Sequence, residues 1–253
     1  MFNLKYFLII IVLLVVVIFN RTNAQFETKY SLQLGMTTLH ILGDNPATKP
    51  MIERDTTGNA VFGGSFDGGQ PGFSLRLLMA LDTSNIISIP IGIDFTLFEA
   101  LERYPVARYV SVKYKHTVFN PTFVVGLNYA LVRYPISKSK IYAGLEARGS
   151  LITSSRLESR LDFLALDSTY TKVLEIKNSA FRLGAAVRLG IEGQVAKDWD
   201  VNMSCAIGVM NLIGRDNSRG ELLTPLRKTP YTEETKESYV YNFLFSMSIM
   251  YRL

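Results

Sequence analysis

The dominant pattern along the chain is an alternation of apolar and polar residues with a period of two, which in a β-strand sends successive side chains to opposite faces. It is clearest at the C-terminal end, where Tyr239, Tyr241, Phe243, Phe245, Met247, Ile249, Tyr251 and Leu253 share one face and Asn242, Ser246, Ser248 and Arg252 fall in the other set. Upstream, Phe73, Leu75, Leu77, Met79 and Leu81 oppose Ser74, Arg76, Ala80 and Asp82. Ile87, Ile89, Ile91, Ile93, Phe95 and Leu97 oppose Ser88, Gly92, Asp94 and Thr96. The rhythm returns in residues 122–131, 141–151, 181–192 and 199–209, and more weakly in 29–36, so the pattern predicts eight strands. An even number lets an antiparallel sheet close on itself with both chain ends on one side.

The connections alternate in length. Asp82 to Asn85, Pro135 to Lys140 and Val195 to Asp198 read as tight turns, whereas residues 42–70, 100–117, 156–179 and 213–238 are long and polar. Short turns at one end and long loops at the other are the asymmetry of a membrane barrel. The fold expected is all-β: a closed, antiparallel, eight-stranded up-and-down transmembrane β-barrel occupying residues 25–253.

The composition of the polar face suggests which way it points. It is rich in Gly, Ala and Ser and is interrupted by Arg76, Asp94, Glu146, Arg148, Arg182, Arg188, Glu192 and Arg252. In a soluble, lipocalin-like barrel the greasy face would line the interior; small residues with opposed charges suit a narrow, filled bore instead. A charge buried there without a partner would cost several kcal/mol. Arg76, Asp94, Glu146, Arg148, Arg182, Arg188 and Glu192 are therefore expected to form an ion-pair network in the lumen that fills the barrel. Tyr30, Phe73, Phe119, Tyr129, Tyr134, Phe181, Trp199, Tyr239, Tyr241 and Tyr251 are placed near strand ends, where aromatic girdles meet the membrane interfaces.

Ahead of the strands, an unbroken apolar run from Phe7 to Phe19 follows Lys5 and precedes Asn20, Arg21, Thr22, Asn23 and Ala24. As a helix this run covers roughly 20 Å, too short for a bilayer core of about 30 Å, so residues 1–24 read as a secretory signal peptide cleaved after Ala24. No cysteine lies nearby to accept a lipid.

Signal segment, strand rhythm, loop asymmetry and terminal strand together resemble the small eight-stranded outer-membrane proteins of the OmpA/OmpX-like group, the outer membrane protein beta-barrel domain family. The resemblance spans nearly the whole mature chain. It implies the outer membrane of a Gram-negative-type bacterium, with outer-membrane lipids and lipopolysaccharide as surroundings. It also implies a terminal strand, Tyr241, Phe243, Phe245, Met247, Ile249, Tyr251 and Leu253, read by the barrel-assembly machinery during insertion. Family members usually end in phenylalanine, and Leu253 departs from that. No sequence follows the barrel, so the peptidoglycan-binding domain of some relatives is not expected. The function implied is a non-enzymatic structural or surface-interaction role through long extracellular loops, with an extracellular ligand that the sequence does not name. The alternatives are a small pore or ligand channel of the outer membrane and a soluble periplasmic lipocalin-like binding barrel.

Composition and charge narrow this further. The formal charge is +5, of which Lys5 and Arg21 belong to the first 24 residues, leaving +3, too mild to point to nucleic acid. The single cysteine, Cys205, excludes an intramolecular disulfide and a cysteine metal cluster. No catalytic residues, metal ligands or cofactor are expected. His40, near Asp44, and His116, near Lys113 and Lys115, are the two histidines able to act as bases at neutral pH, and both are expected at the surface. The run from Gly63 to Gly69 lacks the Lys-Ser/Thr of a phosphate loop and reads as a mobile tip. The basic, tyrosine-interleaved stretch from Arg103 to Lys115 reads as a twisted hairpin above the membrane or, second, as a grip for a polyanion. Arg215 to Glu237, mixed in charge, reads as a solvated loop.

Overall fold

Strands form where the alternation lies, and they run further than the apolar residues alone mark. In the computed structural model, which describes residues 29–51, 53–54, 60–61, 63–82, 84–153, 155–163, 167–215, 220–225 and 237–253, the order begins with β1 (Lys29–Leu42), a 3-10 turn (Pro46–Thr48), β2 (Glu53–Arg54) and β3 (Ala60–Val61). It continues with β4 (Gln70–Ala80), β5 (Ile87–Ala107), β6 (Val110–Tyr134), β7 (Ser139–Ile152), β8 (Ser155–Phe163) and β9 (Ser168–Lys177). The last three are β10 (Ala180–Ala196), β11 (Trp199–Ile213) and β12 (Tyr241–Arg252). The signal segment read at residues 1–24 lies outside the described residues.

Eight of these strands close a ring, β1-β4-β5-β6-β7-β10-β11-β12 and back to β1, every neighbour antiparallel. Closure is made by β1 on β12, with Leu34 opposite Ile249 and Met36 opposite Met247. A closed ring pairs the backbone N–H and C=O groups of the wall between strands, which hydrocarbon demands of any structure that crosses it. The short turns, β4 to β5, β6 to β7 and β10 to β11, gather at one end. In the first of them Asp82 Oδ1 accepts from the backbone N–H groups of Ile86 and Ile87 at 2.8 and 3.0 Å.

Above the ring the wall continues on one side. Residues 110–117 of β6 pair with β5 on one edge and with β8 on the other, and β8 in turn pairs with β9, so a four-stranded sheet β5-β6-β8-β9 stands beyond the barrel. Much of residues 100–117 and 156–179, read from the sequence as loops, is thus strand. The apolar signal fades there because the faces meet water rather than lipid, while the backbone ladder goes on. The β5–β6 part is the hairpin that the stretch from Arg103 to Lys115 suggested.

Orientation follows from exposure. Met36 (78%), Leu145 (64%) and Ile207 (59%) face outward, whereas Arg76 (3%), Arg188 (2%) and Asn202 (1%) face the bore. Phe245 and Ile249 are likewise outward and Arg148 inward, the reverse of a soluble barrel. All ten of the girdle aromatics, from Tyr30 to Tyr251, are exposed. At the short-turn end Trp199 packs on Tyr251, ring centroids 5.0 Å apart, and towards the long loops Phe95 stacks on Phe119 at 6.0 Å.

Candidate functional site

Glu146 on β7 occupies the middle of the bore. Its Oε1 accepts from Arg76 at 2.7 Å and Arg188 at 2.5 Å, and its Oε2 accepts from two nitrogens of Arg148 at 2.6 and 3.0 Å. Arg76 forks onto Asp94 at 2.5 and 3.1 Å, and Arg188 Nη1 donates to the hydroxyls of Ser204 and Ser246 at 2.5 and 3.1 Å. Forked, charge-assisted bonds of this kind are the strong ones, and the interior of an eight-stranded ring is about wide enough for such side chains to fill. Three guanidinium groups meet two carboxylates, so the cluster carries one positive charge in excess.

Arg182 and Glu192 stand apart from this cluster. Both are on β10 with Arg188, six residues above and four below it, or about 20 and 13 Å at the rise of a strand. Arg182 instead holds Glu237 at 2.7 and 3.0 Å, and Asn211 donates to the same carboxylate at 2.8 Å. Glu192 meets Lys140 at 3.2 Å near the short turns, where Arg252 also forks onto Asp200 at 2.6 and 2.7 Å. The lumenal charges are therefore stacked in three layers.

The long-loop end is capped. Backbone N–H groups of Gly63, Gly64, Ser65 and Phe66 donate to the carbonyls of Pro50, Pro46, Lys49 and Ala47 at 2.8 to 3.0 Å, folding the first loop onto itself. This seats Phe66, fully buried, between Phe98 (5.3 Å) and His116 (4.7 Å). His116 Nδ1 donates to the Gly64 carbonyl at 3.0 Å, which leaves Nε2 of the neutral ring to accept from Ser155 Oγ at 2.5 Å. Burial, helped by the nearby Lys177 charge and opposed by the Gly64 hydrogen bond, pushes the His116 pKa down to about 4. Lys177 Nζ donates to the carbonyls of Glu221 and Thr224 at 2.6 and 2.9 Å, tying β9 to the last loop, whose Leu222 and Leu223 are buried. Side chains from all four long connections meet in this plug.

The sheet above the plug has one charged face. Lys115 pairs with Glu99 (3.1 Å), Lys113 with Asp162 (2.7 Å), Arg160 with Asp162 (2.8 Å) and Arg156 with Glu158 (2.6 Å), so most of its basic character is neutralised within the sheet. Its outer strand, β9, pairs on one side with β8, and among the described residues no strand covers its other edge. Tyr170 and Val173 on β9 are exposed.

No protein-family model matches the chain, and no curated protein does. Among solved structures it is similar to Ail, the attachment invasion locus protein of Yersinia pestis, at 10% identity over 90% of this chain and 100% of that one, with a TM-score of 0.37. It is also similar to Neisserial surface protein A, at 14% identity over 88% and 97% of the two chains, TM-score 0.34. A third, the outer-membrane expressed OmpT of Vibrio cholerae, has 10% identity over 89% and 97%, TM-score 0.18.

Several sequence expectations are corrected by the plug. His116 is buried rather than at the surface, and because residues 113, 115 and 116 alternate along β6, its ring faces away from Lys113 and Lys115. His40 does face outward, against the Phe243 ring at 6.5 Å, while Asp44 turns to Lys49. The Gly63 to Gly69 run is packed at its start rather than a mobile tip. A Cβ at Gly63 would stand 2.1 Å from the Lys49 carbonyl oxygen, and one at Gly64 would stand 2.5 Å from those of Ala47 and Leu223. Of the last loop, the described part around Leu222 and Leu223 is buried rather than solvated. Lys177 and Ser155 carry no signal in the sequence and Glu237 reads there only as a charge of the solvated loop, since each owes its place to a partner more than thirty-five residues away and none breaks a local pattern.

Proposed function

We propose that the chain is an outer-membrane protein with a structural or surface-interaction role, in which the barrel is a rigid post and the sheet β5-β6-β8-β9 is the contact surface. The observation that carries this is a bore filled by the Glu146 cluster, capped by loops, and surmounted by a sheet with an open edge at β9. The apolar outer wall supports a membrane site, and the loop asymmetry supports an orientation with the short turns in the periplasm and the sheet outside the cell. An open strand edge offers main-chain donors and acceptors to an extended polypeptide, and a rigid scaffold holds that edge in place. The ion pairs that cross the bore weigh against the pore reading, and the buried His116 and Ser155 side chains are hydrogen-bonded to each other.

A cysteine-labelling experiment tests both orientation and role. In a Cys205→Ser background, Thr171→Cys on β9 should react with a membrane-impermeant maleimide on intact cells, and Ser84→Cys in the first short turn should react only after permeabilisation. Attaching a maleimide-polymer at Thr171→Cys should then abolish adhesion of the cells to reduced, alkylated casein, an immobilised extended chain. Labelling of Ser84→Cys on intact cells would refute the orientation, and adhesion indifferent to the blocked edge would refute the role.

A further inference from the structure

At the short-turn end the bore widens into a cavity of about 620 Å³, within the size range of small-ligand sites. Its lining includes Lys29, Arg133, Lys138, Lys140 and Arg252, and the carboxylate side chain among the described lining residues, Glu192, is already held by Lys140. Arg252 is held by Asp200. Lys29, Arg133 and Lys138, all exposed, make no side-chain ion pair or hydrogen bond among the described residues, so even with the last residue, Leu253, in the lining the concavity carries an excess of positive charge.

Their arrangement says what would satisfy them. Lys29 and Arg252 come from β1 and β12, which are neighbours; Arg133 and Lys140 come from β6 and β7, with Lys138 in the turn between. In the ring these two pairs lie opposite one another, separated by β4 and β5 on one side and β10 and β11 on the other. A compact anion such as phosphate is bound where several N–H groups converge on one point. Point charges facing each other across a mouth suit a ligand with several separated negative charges. The lining between them is mixed, with Leu78 and Met250 beside Ser31 and Ser88, which accommodates a ligand's carbon skeleton as well as its charges. Lys138 is held at a φ of +46°, a left-handed conformation that glycine or asparagine adopts at lower cost, so the turn keeps a lysine where chain geometry does not favour one.

We propose that this mouth is a binding site for short acidic peptides, their carboxylates divided between the β1/β12 and β6/β7 sides. This goes beyond the surface role proposed above. Only the compartment that the site faces, the periplasm, rests on that reading, and binding in micelles does not depend on it.

Calorimetric titration of the full chain in a neutral detergent tests the site with acetyl-tetraglutamate amide as the probe and acetyl-tetraglutamine amide as its uncharged twin. The expected result is saturable binding of the first and none of the second, weakened at least tenfold in the Lys29→Gln/Arg133→Gln/Lys138→Gln variant. The single change Lys138→Glu, whose barrel is checked by its unheated electrophoretic mobility, should lower binding several-fold on its own. Lys49→Gln, at the long-loop end and outside the β5-β6-β8-β9 sheet, should leave binding unchanged. No saturable binding by the wild type, equal binding of the glutamine peptide, an equal loss in the Lys49 variant, or displacement of the peptide by equimolar inorganic phosphate would each overturn the proposal.

Discussion

Glu146 accepts hydrogen bonds from three arginines, and Asp94 is the one other carboxylate in that layer of the bore among the described residues. Removing either sign from such a cluster has unequal consequences. With Glu146→Ala, Arg76, Arg148 and Arg188 remain buried against Asp94 alone, and breaking a buried pair in this way costs about 3–5 kcal/mol. With Arg148→Met, two guanidinium groups face two carboxylates and the surplus charge is gone, so the change should fall within about 1 kcal/mol of neutral. Urea unfolding of the barrel in lipid vesicles should rank the variants in that order; a larger loss for Arg148→Met would contradict the charge count. That Arg76, Asp94, Glu146, Arg148 and Arg188 face the bore is legible from parity, because all interrupt the polar face, but Arg182 and Glu192 do so as well, and parity does not show that they belong to other layers. Which arginine meets which acid is not legible, since the pairs join β4, β5, β7 and β10 at distances along the chain of up to seventy residues.

At the scale of elements, the plug links strands that the ring does not need to be linked. His116 on β6 bonds to the first loop through Gly64 and to the start of β8 through Ser155, and the second of these, in which Nε2 accepts, requires the neutral ring. Its pKa falls from 6.5 in the unfolded chain to about 4 in the fold, so between those values the unfolded state binds the extra proton. The stabilisation is complete above about pH 6.5 and is lost as pH falls through 4, a span worth roughly 3 kcal/mol. Hydrogen exchange at the amides of Gly63 to Phe66 should therefore quicken as pH drops across that window once the intrinsic pH dependence of exchange is divided out, and His116→Gln should flatten the trend. An unchanged protection factor from pH 7 to pH 4 would contradict the assignment. Glycine-rich composition suggested motion at this loop, yet Gly63 and Gly64 are there because neighbouring carbonyls leave no space for a side chain. Composition reports what a backbone is free to do, and only packing shows whether that freedom is used for mobility or for close approach.

For the molecule as a whole, a bore layered with ion pairs beneath a plug of loop residues predicts that the intact protein in a planar bilayer shows no stable unit conductance at neutral pH. Steady channels of uniform size would overturn that picture. The sequence by itself determined the number of ring strands, the face that each residue occupies, the end at which the long connections gather and the outward position of the aromatic girdles. These follow from local rules, because a period of two and a turn of a few residues are properties of neighbouring positions. Tertiary structure alone decided that β5, β6, β8 and β9 continue as a sheet above the ring, that four connections knit into a plug around Phe66 and His116, and that Lys29, Arg133 and Lys138 are left facing a cavity. Those outcomes depend on the ring closing, which brings together residues remote in sequence at distances no periodicity encodes.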